Sequence, residues 1–437
     1  MEILKVGERM LGLNLLIIIL ILEFVLTLLI FKNDILAPAV PLSASFLVAV
    51  LDLKLMETYW SVELVDEAVW AIGCGNLAFI LTAFMVQLFK KKKRRNSIEI
   101  AVIHIDKNLI VFMDFLYSLV IGIYLIFVVI AARRYGATGS VFSMVGFLSR
   151  LSVEDNNFVP SIVMSIYNLC INMTYVWVYT AVVNYRKTKL SAPWFVLLVL
   201  SFSMGLLVSG SRGELISLIV FAVVIFLLIY RRQQSRKIPL KYYWRMGIGL
   251  VGILCLFQFI ATFMGRDSYR YNFMEYLSIY IGAPIMNFSN AIRYSMSKSV
   301  YFGQETFHKL IELLGPFLGI EKYESSRLFW SANGHNVGNV ATMYYDYYHD
   351  WGMTGAIVLP IIMALILQPL YENVKKQRKN GICLSYMLYA WMLFLLMRSF
   401  FSNTFISVVF SASFVKQIVV WYLASRYLVR LRINWKS

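Results

Sequence analysis

Stretches of about 20 apolar residues, the length a helix needs to cross a hydrocarbon core of about 30 Å, recur from one end of this chain to the other. They lie near residues 10–31, 35–52, 69–89, 109–130, 159–183, 193–209, 214–230, 246–264, 353–371, 381–400 and 403–423. In lipid the backbone must satisfy its own N–H and C=O groups, and runs this long do so as helices. The expectation is an all-α polytopic membrane protein with about 11 transmembrane helices (10–12), forming a single integral membrane domain over 1–437. Composition agrees: 59% of residues are hydrophobic and 15% charged, against about 25% charged in soluble domains. The first run is long enough to span and lacks a small-residue cleavage site, so no cleavable signal peptide is expected. Cys74, Cys170, Cys255 and Cys383 fall in or beside apolar runs without CxxC spacing, which fits neither a zinc site nor a disulfide framework.

The net charge of +17 is concentrated in short clusters beside apolar runs. That pattern marks the cytoplasmic side of a membrane protein and is unlike a nucleic-acid-binding stripe. The clusters are Lys90 to Arg95, Arg186 to Lys189, Arg231 to Lys241, Lys375 to Lys379, and Arg426 to Lys436. All five follow odd-numbered spans, which puts the N-terminus outside and the C-terminus inside. A split helix before residue 69 would instead give twelve spans and an internal N-terminus.

This topology turns three segments outward: about 131–158, the connection Ser209-Gly-Ser-Arg-Gly-Glu214, and 265–352. The third holds 19 aromatic residues and three of the four histidines, His308, His335 and His349. Disordered linkers are poor in aromatics, so 265–352 is expected to be a large folded external loop with amphipathic helices, one over 305–314.

Candidate chemistry sits in these segments. Ser211 and Glu214 have capping-box spacing, and Arg212 then occupies the first turn of a helix. Free N–H groups, a positive dipole end and a guanidinium fork suit a phosphate or pyrophosphate; the alternative is an ordinary cap with a snorkelling arginine. Arg266, Arg270, Arg293, Arg327 and Arg398 lie on the same side. Arg266 and Arg398 fall where helices meet the interface, as lipid-headgroup ligands or snorkelling anchors. His335 suits a general base for a hydroxyl. Tyr345, Tyr348 and Trp351 offer flat faces to a sugar, with Asp350 as a hydroxyl acceptor, a second candidate base or a helix cap. An interfacial aromatic belt would also use such residues. His335, His349 and Asp350 lack compact metal-ligand spacing, so no metal is expected. Glu23 and Asp114 are the acids inside apolar runs.

Four features together resemble the bacterial oligosaccharide repeat-unit polymerases, the O-antigen and capsular polysaccharide polymerase family. They are Asp34-Ile-Leu-Ala-Pro38, Ser209-Gly-Ser-Arg-Gly213, Tyr280-Ile-Gly-Ala-Pro284 with Phe288, and Asn339-Val-Ala-Thr342 running to Asp350-Trp-Gly352 and Gly355. The resemblance implies a GT-C-type membrane glycosyltransferase in the bacterial cytoplasmic (inner) membrane. Its substrate would be an undecaprenyl-pyrophosphate-linked oligosaccharide, with no cofactor, metal, nucleotide or nucleic acid. It assigns the pyrophosphate to Arg212, with Arg266, Arg270 and Arg398, and implies a flippase and a chain-length regulator as partners. A polysaccharide flippase and an O-antigen ligase are the competing readings. The large aromatic outward loop and few intramembrane acids favour an enzyme over a flippase. Sequence separates polymerase from ligase poorly.

Overall fold

The computed structural model describes residues 2–89, 101–151, 159–185, 187–208, 213–234, 272–294, 301–320 and 328–431, with the single residues 249, 252, 296 and 299. Among them, six helices are long and apolar enough to cross a membrane: Gly12–Ile30, Asp66–Phe89, Lys107–Arg134, Ser161–Tyr185, Gly213–Gln233 and Met343–Lys376. The chain is an all-α, multi-pass membrane protein. Of the other expected spans, 246–264 lies outside the described residues except for 249 and 252. Three are shorter apolar helices, Ala39–Leu55, Ala192–Val208 and Leu384–Met397. The last, 403–423, is a correction: it breaks into Thr404–Val409 and Ala412–Tyr427. Serines account for the break. Ser407 Oγ donates back to Asn403 O at 2.5 Å, and Ser411 Oγ accepts the Phe414 N–H at 3.3 Å, capping the second helix.

The chain groups into two compact units. The first comprises Met1–Lys93, Asn272–Lys376 and Met392–Val415. In its first helix, Ile18, Leu22, Val25 and Leu29 form an exposed stripe, while Leu13, Leu16, Leu20, Glu23 and Thr27 are buried. Both stripes are largely apolar, so amphipathicity does not identify the protein-facing side. Small and polar residues do: Asp66–Phe89 buries Ala68, Ala71, Asn76 and Ala83 and turns Trp70, Leu77, Leu81 and Met85 outward. This helix lies along Met343–Lys376, where Tyr344 donates to Asn76 Oδ1 at 2.9 Å.

The two ends of this unit differ. Before Ala39–Leu55, the Tyr371 hydroxyl lies 2.8 Å from both Asp34 carboxylate oxygens. After that helix, residues 56–65 meet the segment that follows Asn272. Arg293 pairs with Glu63 at 2.8 Å, and Ser289 Oγ accepts the Val65 N–H at 2.8 Å. The segment is folded, as expected, into helices Phe273–Ile281, Ala283–Tyr294 and His308–Leu318 and a hairpin of Trp330–Ala332 with His335–Gly338. Met343–Lys376 is two helices joined at Gly352: the second begins at 353, where the span was expected, and the first, 343–351, carries Asp350 and Trp351. Gly352 (φ 59°, ψ −144°) makes the kink between them in a conformation that residues with a Cβ avoid.

The second unit comprises Arg94–Tyr271, Gln377–Trp391 and Lys416–Ser437, with helices Lys107–Arg134, Val141–Leu151, Ser161–Tyr185, Ala192–Val208 and Gly213–Gln234. Buried aromatic donors reach backbone carbonyls, because lipid offers them no partner. Tyr117 OH donates to Cys170 O (2.6 Å), Tyr167 OH to Met204 O (2.6 Å) and Trp421 Nε1 to Asn172 O (2.8 Å). Two contacts each join residues in or near two of the basic clusters. Asn184 holds both the N–H and C=O of Ile103 at 2.9 Å, and Arg232 forks to Arg378 O (2.7 Å) and Lys379 O (2.9 Å). The positive-inside rule asks for this gathering.

A labelling experiment follows. In a variant without native cysteines, a membrane-impermeant thiol reagent on intact cells should modify Ser331→Cys and leave Lys376→Cys untouched. The reverse pattern would invert the topology.

Candidate active site

His335 begins the second strand of the hairpin, opposite Ala332. Asn333 and Gly334 form the turn with φ of 48° and 80°, the two left-handed positions of a type I′ turn, for which Asn-Gly is the preferred pair. The turn is tied down from outside: Asn333 Nδ2 donates to Tyr59 O at 3.1 Å. Tyr59, in the short helix Glu57–Trp60, lays its ring against the imidazole with centroids 4.2 Å apart and planes at 36°. Glu275, in the first turn of Phe273–Ile281, brings Oε1 to 3.0 Å from His335 Nδ1, and its Oε2 accepts from Tyr59 OH at 3.4 Å. The Glu275 side chain is 7% exposed and that of His335 33%. Desolvation and the neighbouring Glu275 carboxylate raise the Tyr59 phenol above its ordinary pKa, so it stays a proton donor at neutral pH. An imidazole reachable by substrate and backed by a buried carboxylate is a general-base arrangement.

Asp350 is placed differently. Its side chain is fully buried, and the hydrogen bonds it accepts come from Ser299 and from the backbone of residues 305 and 306 rather than from the N-terminus of the helix after Gly352. Its Oδ1 accepts from Ser299 Oγ (2.5 Å) and the Glu305 N–H (3.2 Å), and its Oδ2 from the Thr306 N–H (2.8 Å). His349 Nδ1 lies 3.3 Å from Oδ1. Asp350 thus clamps residues 299–306 onto the helix, with donors at both oxygens. Asp350→Ala is expected to cost about 2–4 kcal/mol by orphaning buried donors. Asp350→Asn should also destabilise, because its NH2 would face a donor. Thermal unfolding of the detergent-purified variants checks this; wild-type stability in both would remove the clamp.

The aromatic candidates are half-buried in ring packing. Tyr348 meets Phe288 edge-on at 6.0 Å, Tyr345 stacks on His349 at 6.2 Å, and Trp351 lies between Phe302 and Phe307 at 5.1 and 6.0 Å. Arg398 stands in a 3-10 turn, its guanidinium 5.8 Å from the Phe394 ring centre and 5.6 Å from that of Phe401. Phe401 stacks in turn on Tyr280 at 6.1 Å. Arg212, Arg266, Arg270 and Arg327, together with Ser211, lie outside the described residues. Glu214 gives Oε2 to Tyr175 OH (3.2 Å) and Ser217 Oγ (3.3 Å). Glu23 is 5% exposed, and its Oε2 has no partner among the described residues.

The structure therefore brings His335 to Glu275 and Tyr59, and His349 to Asp350, as two separate clusters. Sequence reasoning missed Glu275 and Tyr59. Glu275 lies five residues ahead of the Tyr280-to-Pro284 motif but 60 positions from His335 (335 − 275 = 60), and no local spacing announces a pair made by tertiary folding. Comparison with protein families, curated proteins and solved structures returns no match to this chain.

Proposed function

We propose that this chain is a repeat-unit polymerase on the outer face of a bacterial cytoplasmic membrane. It transfers a growing glycan from undecaprenyl pyrophosphate to a hydroxyl of the next lipid-linked unit. The observation that supports this most is the third-exposed His335 imidazole 3.0 Å from the buried Glu275 carboxylate, within a folded, aromatic-rich segment. A lipid pyrophosphate is its own leaving group, so the reaction needs no nucleotide. It needs a base for the acceptor and positive charge where pyrophosphate charge develops. His335 takes the hydroxyl proton, and the acceptor oxygen attacks the anomeric carbon. The carbon–oxygen bond to pyrophosphate breaks, and its electron pair leaves with the lipid. Arg212, Arg266, Arg270 and Arg398 take the pyrophosphate, and Tyr345, Tyr348 and Trp351 the sugar rings; Tyr280 and Phe401 beside Arg398 add flat surface. The clamp at Asp350 supports a holding role for that residue over a second base.

The test is purified protein with a synthetic undecaprenyl-pyrophosphate repeat unit. A ladder of products spaced by one repeat supports polymerisation. A single transfer to an acceptor without lipid pyrophosphate would favour the ligase, whose topology and arginine logic are the same. Translocation across proteoliposomes without product would favour the flippase, the reading that the buried Glu23 supports.

A further inference from the structure

We propose that Glu275 is the positioning residue for His335: it holds the imidazole by Nδ1, so that Nε2 is the atom that accepts the proton of the incoming hydroxyl. The catalytic half of this statement rests on the polymerase reading; the hold of Glu275 on the ring does not.

A carboxylate 7% exposed cannot be left without donors, because an unpaired buried charge is expensive. Oε2 receives the Tyr59 hydroxyl at 3.4 Å. Oε1 has no well-aligned hydrogen bond among the described residues, and it faces His335 Nδ1 at 3.0 Å. A neutral imidazole carries one N–H and one lone pair. The tautomer with hydrogen on Nδ1 satisfies Oε1, while the other would set a lone pair against a carboxylate. Alignment that is loose without substrate is the usual state of such pairs. The site also fixes the ring from two further directions: Tyr59 covers one face at 4.2 Å, and the Asn333 amide ties the strand-bearing turn to the Tyr59 carbonyl. Asp52 is tied through Oδ1 to the same helix one turn on, where it accepts from Ser278 Oγ at 3.0 Å. When Nε2 takes the acceptor proton, the imidazolium sits against the Glu275 negative charge. The proton passes to water after the lipid pyrophosphate leaves.

Two measurements on the full-length detergent-purified protein decide this. Nitrogen-15 NMR of labelled histidine, at alkaline pH where imidazole is neutral, reports which ring nitrogen carries hydrogen, and His335→Ala identifies the signal. The expected result is hydrogen on Nδ1 in the wild type and a shift toward Nε2 in the near-isosteric Glu275→Gln. In the polymerisation assay, Glu275→Gln should lose about 10- to 100-fold in kcat, with KM and thermal stability unchanged. An unaltered tautomer in Glu275→Gln overturns the proposal, as does a wild-type kcat in that variant when His335→Ala is inactive. If the wild type makes no polymer, the polymerase reading falls, and the tautomer measurement still decides whether Glu275 holds His335.

Discussion

Arg212→Ala is expected to abolish polymer formation while leaving the protein in the membrane at wild-type abundance. In the sequence Arg212 directly precedes the described helix Gly213–Gln234, and a helix N-terminus offers unsatisfied N–H groups and a dipole that favour an anion. The acid two positions on, Glu214, has Oε2 engaged by Tyr175 and Ser217, which ties it to helix Ser161–Tyr185. Removing one group that stabilises developing charge costs roughly 10²–10³ in rate, enough to erase a visible polymer ladder. Arg212→Lys should recover only part of the activity, since an ammonium supplies charge without the planar fork. Immunoblotting of membrane fractions and gel analysis of surface polysaccharide provide the two readouts. Normal polymer in Arg212→Ala would make this residue an interfacial anchor.

What could be read from the sequence follows the physics of each signal. Long apolar runs such as Gly12–Ile30 and Lys107–Arg134 are legible because lipid demands continuous hydrophobicity and internal hydrogen bonding. The helical stretch ahead of the Gly352 kink was not: Tyr344, Asp346, His349 and Asp350 are half or fully buried against protein, so those turns carry no lipid signature. The break at Phe410–Ser411 depends on serine side chains choosing backbone partners, which hydropathy ignores. The Asn333-Gly334 turn was available as a dipeptide, but Ser331 and Asn336 beside it blur the alternation that would have marked strands. His335 was legible as chemistry because imidazole near a loop glycine is unusual; Glu275 was silent because its meaning exists only once the hairpin folds back onto Phe273–Ile281. Asp350 was legible as polar and adjacent to a helix, yet its partners Ser299, Glu305 and Thr306 lie about 50 residues upstream.

His335→Ala should cut the polymerisation rate by roughly 10²–10⁴-fold without lowering abundance. The side chain is one-third exposed and follows a two-residue turn, so truncation leaves no sealed cavity: Tyr59 still donates to Glu275 Oε2, and the space opened at the surface admits water to Oε1. This is the opposite of Asp350→Ala, which removes a buried acceptor of three donors and should lower stability first and activity only as a consequence. The contrast supplies the control: rate per folded molecule, not rate per cell, is compared for the two variants. Added imidazole separates them further. A base missing from an accessible site can be replaced from solution, so exogenous imidazole should restore part of the rate in His335→Ala and none in Asp350→Ala. A near-normal rate per folded molecule in His335→Ala would remove the base assignment. The two aspartates that would then be the candidate bases, Asp346 and Asp350, are 1% and 0% exposed in residue and side chain respectively. Either would have to open before it could meet an acceptor hydroxyl, and the rate should then follow the opening of the 299–306 clamp, with Ser299→Ala speeding the reaction.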